Sequence, residues 1–209
     1  MFKYPINKQM KNTFSKGFTL VELLIVISIL AALAAAVVVV LNPAELLAQA
    51  RDAQRLRDMT TVRDAINLHL SQVPAADICV PVGTPAVCPT GGHCTAGTAG
   101  PFATQPCVLN NTRVVTGTGW VNINFTTMPG GAALTVLPID PVNSGNFFYA
   151  YRADALTRTF RLATRLESER YRGMMITDGG PRSGCVTGGT PWVAADCFYE
   201  VGTNMRTDF

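Results

Sequence analysis

The chain has 209 residues, 15% of them charged, and a formal net charge of +3, which allows one domain with a sizeable core plus an appendage but not two ordinary domains. All four lysines (Lys3, Lys8, Lys11, Lys16) lie in the first 16 residues, which hold no acid, and beyond Gly17 there are 13 arginines against 14 carboxylates. The positive balance therefore belongs to the extreme N-terminus, and a broad basic face for nucleic acid is excluded.

Residues 1–17 read as a basic leader. From Phe18 to Leu41 runs a 24-residue apolar stretch in which Glu22 is the only ionisable side chain. As a helix it is ~36 Å long, against a bilayer hydrocarbon core of ~30 Å, so it can cross a membrane. A secretory signal has a shorter apolar core with its cleavage site on the far side. Here the cleavable-looking junction, Lys16-Gly17-Phe18, stands in front of the apolar run, so cutting there leaves the helix on the product. The leader lysines hold that end in the cytoplasm by the positive-inside rule and send the remainder outward.

Helical periodicity resumes after Asn42-Pro43. Leu46, Ala50, Ala53, Leu56, Met59, Val62, Ile66, Leu70 and Val73 recur at steps of three and four, predicting an amphipathic continuation over 42–73. Arg51, Asp52, Arg55, Arg57, Asp58, Arg63 and Asp64 then fall on the opposite, charged face, which reads as solvated or intersubunit surface; interleaved acids argue against DNA as its partner. Pro43 is expected to bend or locally melt one long helix rather than end it.

Residues 74–209 read as an exported domain. Pro74 to Pro106 is rich in Gly, Pro, Thr and Cys without a period, a loop region. Thr112–Thr116 and Trp120–Phe125, flanking Gly117-Thr118-Gly119, predict one hairpin, and the alternating Phe147, Tyr149, Tyr151 and Phe160, Leu162, Thr164, Leu166 predict another around Asp154–Thr157. Met174–Thr177 and Phe198–Val201 are weaker strand candidates. The expected class is α+β: a long N-terminal helix, half transmembrane and half amphipathic, on a small antiparallel sheet with disulfide-rich loops.

Six cysteines (Cys79, Cys88, Cys94, Cys107, Cys185, Cys197) all lie beyond the membrane segment, where an even count favours disulfides. Fifteen connectivities are possible; Cys185–Cys197, closing a short Gly-rich loop, with the other four paired locally, is preferred. His93 beside Cys94 invites zinc, but the C-x₂₋₄-C pairs of structural zinc sites are missing. His69 reads as a surface or packing histidine. Asn110-Asn111-Thr112 and Asn124-Phe125-Thr126 match the glycosylation pattern, which arises often by chance in a Thr-rich chain. No nucleophile and base converge, so no catalytic residue is expected.

The segment Lys16-Gly17-Phe18-Thr19-Leu20-Val21-Glu22, followed by Leu23-Leu24-Ile25-Val26-Ile27, resembles the type III signal of the type IV pilin and type II secretion pseudopilin superfamily, over roughly residues 11–70. Leu137-Pro138-Ile139-Asp140-Pro141 is faintly similar to the pseudopilin C-terminal region. The resemblance implies cleavage after Gly17 by a membrane aspartyl peptidase, methylation of the new amine on Phe18, storage in the membrane and polymerisation with copies of itself or related pilins by an inner-membrane assembly machinery. Some pseudopilins bind calcium in the C-terminal region; Asp140, Asp178 and Asp196 lie in Gly- or Pro-rich loops, yet no EF-hand spacing exists, so no cofactor is expected, with calcium as the alternative.

Glu22 has its own physical reading. A carboxylate four residues inside an apolar helix is unfavourable by at least ~2.5–3.5 kcal/mol unless partnered, and cleavage after Gly17 would create a partner in the Phe18 amine. Between staggered subunits that pairing would set the register; otherwise the carboxylate merely snorkels to the interface. The expected role is a structural filament subunit, with a minor pilin at a filament tip, contacting DNA or a surface through the Cys79–Cys107 loops, as the alternative.

Overall fold

A computed structural model describes residues 17–73, 77–79, 88, 91–97, 102, 107–178 and 197–203. The chain divides into two compact units, Met1–Pro43 and Ala44–Phe209.

The first unit is helix α1, Leu20–Leu41, opened by Thr19 as N-cap. Every described side chain along it is exposed, and it is long and apolar enough over Leu20–Val38 to cross a membrane. The helix does not run on through the Asn-Pro junction as one element. Asn42 adopts a left-handed conformation (φ 40°) that closes α1, and Pro43 opens helix α2, Pro43–Gln72. Asparagine tolerates that conformation, and proline at a first helical position gives up an N–H that had no intrahelical partner anyway.

The second unit is α+β. The described strands are β1 (His93–Cys94), β2 (Val108–Leu109), β3 (Tyr149–Asp154), β4 (Thr159–Thr164) and β5 (Tyr199–Gly202), in a sheet of order β2-β1-β3-β4-β5. The predicted hairpin is β3–β4, with Tyr151 opposite Leu162 and Tyr149 opposite Thr164. The sheet is mixed rather than antiparallel throughout, because β1 and β2 pair in parallel. Parallel neighbours need a connection of about a dozen residues, and the Cys94–Cys107 disulfide, Cα atoms 5.8 Å apart, closes such a connection just before β2.

Alternation along β3 and β4 builds two cores. Tyr149, Tyr151, Ala153, Phe160 and Leu162 pack with Met59, Val62, Ala65 and Ile66 of α2 and with Trp120, Ile123 and Phe125. On the other face, Ala150 and Ala163 join Phe102, Phe148, Phe198 and the Cys94–Cys107 pair. The buried aromatics and aliphatics supply most of the stability, at ~1.5–3 kcal/mol for each large side chain.

Two strand expectations are overturned. Over 112–125 only the single bridge Thr116–Asn124 forms. Trp120 N–H to Thr112 O and Phe125 N–H to Val115 O also join the two segments, but without a continuous ladder. Other backbone groups there go elsewhere: Arg113 O accepts from Leu137 N–H, and the carbonyls of Thr118 and Gly119 accept from the Asn110 side-chain amide. Gly119 sits so close that a Cβ would collide with Val114 O and Leu137. Phe125–Thr127 forms a 3₁₀ turn. Met174–Thr177 is not a strand but a short helix, α4, behind α3 (Glu169–Arg172). Met175 alone of its residues is buried, so it faces inward once per turn rather than at alternate positions.

Candidate functional site

The N-terminal signal is built by a reciprocal capping box. The Glu22 N–H donates to Thr19 Oγ1 at 3.2 Å, while Thr19 donates its own N–H (2.9 Å) and its hydroxyl (2.7 Å) to Glu22 Oε2. The first turn of α1 thereby gains partners for donors that a helix start leaves open. Gly17 and Phe18 precede the helix, and Phe18 is 82% exposed. Thr19 was not among the expected functional residues, although Thr-x-x-Glu in front of an apolar run is a legible capping signature.

The arginine-rich stretch of α2 is placed differently from the sequence expectation. The buried positions are Ala48, Asp52, Arg55, Met59, Val62, Ala65, Ile66 and His69, whereas Leu46 and Ala50 of the predicted apolar stripe face outward. Arg55 is the centre of an ion network. Its Nε and Nη2 donate to the two oxygens of Asp140 at 2.7 and 3.1 Å, and its Nη1 donates to Asp52 at 2.8 Å and Glu167 at 2.6 Å. Asp52 also accepts the backbone N–H groups of Glu167 and Ser168, and Arg51 forks onto Glu167.

Burial opposes the charge on Arg55, but the hydrogen bonds it donates to Asp140, Glu167 and Asp52 more than offset that and hold the guanidinium ionised. Burial likewise pushes the Glu167 carboxyl up, and Arg51 with Arg55 outweighs that and keeps it below its ordinary range. Nearby, Tyr149 donates to Asp58 at 2.7 Å, and burial raises both groups above their usual values. The network fastens the first half of α2 to the 140–143 loop and to the 165–168 segment.

The cysteines pair locally, Cys79 with Cys88 and Cys94 with Cys107. Cys197 is disulfide-bonded as well; Cys185, the partner expected for it, lies outside the described residues. Among the described residues no three His, Cys, Asp or Glu side chains are grouped to hold a metal. Asp140 spends its carboxylate on Arg55 and the N–H groups of Val142 and Asn143, Asp178 accepts Glu200 N–H at 2.7 Å, and Asp196 lies outside the described residues. His93 is buried in β1, and His69 packs edge-on against Phe125 at 5.8 Å. Asn110 and Asn124 both accept hydrogen bonds within local turns, from Thr112 N–H and from Thr126.

No curated protein and no solved structure matches the chain. Residues 13–38 match the family model of the prokaryotic N-terminal methylation motif, which spans the Gly17–Phe18 junction, Thr19, Glu22 and most of α1, so the chain carries the signal of type IV pilins and pseudopilins.

Proposed function

We propose that the chain is the precursor of a structural subunit of a type IV pilus or a related pseudopilus, cut after Gly17, methylated on Phe18 and polymerised through α1. The observation that carries this reading is the methylation motif over residues 13–38, seated on an apolar helix with every described side chain exposed. Such a helix needs either lipid or other apolar helices around it. Lipid serves the stored subunit and neighbouring helices serve the polymer.

Glu22 is the register element in this reading. Thr19 holds its carboxylate at the N-terminal end of the helix, one residue from the amine that cleavage would expose on Phe18. In a low-dielectric surrounding the pair is favourable only when both charges are present. The partners are a prepilin peptidase and N-methyltransferase, the inner-membrane assembly machinery, and copies of this chain or related subunits. Mass spectrometry of sheared filaments tests the proposal, because one spectrum reports the N-terminal residue, its methylation and the abundance of the chain. Filaments lacking this chain altogether, in cells that express and process it, would overturn it.

A further inference from the structure

The first turns of α2 are inside-out for a helix in water. Their inward side carries charge: Asp52 and Arg55 are fully buried in the network with Asp140 and Glu167. Their remaining polar groups turn the same way. Glu45 accepts Glu169 N–H at 2.9 Å and Gln49 Nε2 at 3.1 Å, and Arg51 reaches Glu167. The exposed side chains from Pro43 to Ala50 are all apolar: Pro43, Ala44, Leu46, Leu47 and Ala50. Leu46 and Leu47 are 51% and 61% exposed. From Gln54 onward the outward positions turn polar, with Gln54, Arg57, Thr60, Thr61, Asp64 and Asn67 exposed and only Leu68 apolar among them.

We infer that the Pro43–Ala50 face of α2 lies in the lipid interface, the headgroup and upper acyl boundary where α1 leaves the bilayer, with the waterline near Gln54. This rests on the reading of α1 as a membrane helix. Connectivity brings the face there. Pro43 follows Leu41 by two residues, at most ~7 Å of extended chain, and Leu46 and Leu47 stand only ~5 Å further along the α2 axis. Helices that lie at this boundary bury an apolar face ~5–10 Å deep. The partner is phospholipid, and the apolar-to-polar change along a single face of α2 marks the depth. Surface leucines scattered singly carry no such meaning; here two adjacent leucines, the small residues around them and the engagement of Glu45 and Gln49 with each other and with Glu169 N–H coincide.

The test is tryptophan quenching in the full-length chain reconstituted in phosphatidylcholine vesicles, brominated either near the headgroups or deep in the acyl chains. Leu47→Trp, Leu46→Trp, Thr61→Trp and Leu33→Trp are compared with the parent chain, whose Trp120 and Trp192 set the baseline. The substituted positions are exposed, and unchanged thermal melts of the second unit confirm folding. Leu33→Trp is expected to be quenched by the deep bromines. Leu47→Trp and Leu46→Trp should be quenched by the shallow ones roughly twofold or more above Thr61→Trp. Quenching of Leu33→Trp with Leu46→Trp and Leu47→Trp both matching Thr61→Trp overturns this inference and leaves the membrane helix standing. Absence of quenching at Leu33→Trp overturns both. Protection of Leu47→Trp that appears only at high protein-to-lipid ratio assigns the face to a second copy instead and likewise overturns it.

Discussion

Arg55 and Asp140, 85 residues apart, form a doubly hydrogen-bonded ion pair in which neither side chain is exposed. A guanidinium suits this position because its fork meets both carboxylate oxygens while the remaining NH₂ group reaches Asp52 and Glu167, and its Cζ lies 4.8 Å from the centre of the Phe147 ring. Arg55→Met leaves three carboxylates without that counter-charge. The expected loss is ~3–5 kcal/mol in denaturant unfolding of the detergent-solubilised chain. Arg55→Lys restores only part of it, because an ammonium cannot satisfy the same fork. Wild-type stability in Arg55→Met would show that the network is energetically idle.

The proposed processing predicts a mature length. Cleavage after Gly17 would remove 17 of 209 residues and leave 192, and the product is expected to start at Phe18 with one methyl on its amine. Intact-mass analysis of protein from cells with an active prepilin peptidase checks both features, and recovery of the Met1 end from assembled material counts against them.

Glu22→Leu is expected to separate assembly from folding. The residue lies in the first unit, and its carboxylate accepts from the Thr19 N–H and hydroxyl. Cleavage and the thermal melt of the second unit should be unchanged, while filament incorporation falls by at least about tenfold, the effect of losing ~1.4 kcal/mol or more at each subunit contact. Normal filaments from Glu22→Leu as sole subunit would return the carboxylate to a snorkelling role.

Disulfide mapping of the unreduced chain should recover Cys79–Cys88 and Cys94–Cys107 peptides and no alkylatable thiol. Cys94→Ala with Cys107→Ala should lower stability by ~2–4 kcal/mol, since that bridge also packs under Phe102, Phe148 and Phe198. Stoichiometric alkylation without reductant would contradict the pairing.

Stability should fall on mild acidification. Burial pushes the His69 imidazole down, Arg158 adds to the shift and Asp77 partly opposes it, while burial alone lowers His93. With folded values below the unfolded value of ~6.5, the unfolded chain binds more protons as pH drops through that range, and the fold loses up to ~1.4 kcal/mol per pH unit for each histidine. Glu167 adds nothing in this window, because its carboxyl is held below the ordinary range. Asp58, raised by burial, acts in the opposite sense as it takes up its proton. His69→Leu should flatten the slope in thermal melts between pH 7.5 and about 5.5; an unchanged slope would remove His69 from this account.

The parts of the fold read directly from the chain are those whose causes are local. The apolar run of α1, the alternation in Tyr149, Tyr151, Phe160 and Leu162, and the local cysteine pairs need nothing remote. In the first half of α2 the predicted and observed faces differ because periodicity treats Asp52 and Arg55 as solvent-seeking, whereas their partners Asp140 and Glu167 lie 85 to 115 residues away. From Met59 on, where the inward side chains are apolar, the predicted and observed faces coincide at Met59, Val62 and Ile66. Strands β1 and β2, two residues each, are too short for any alternation to show. Of the signal, Glu22 stands out as a charge in an apolar run and Gly17–Phe18 as the junction between the basic segment and that run, whereas Thr19 shows only through its spacing to Glu22.

Because the cap falls on Thr19, the first backbone hydrogen bond of α1 runs from Leu23 N–H to Thr19 O, and the Gly17–Phe18 peptide lies outside the hydrogen-bonded ladder. A peptidase that takes its substrate in extended form therefore has no turn to unwind before it cuts. The partners that cap the helix start, Thr19 and Glu22, both lie on the helix side of Gly17–Phe18. If residues 1–17 are a removable leader, as proposed, leaders of different length or composition ahead of Gly17 should be interchangeable without disturbing where α1 begins.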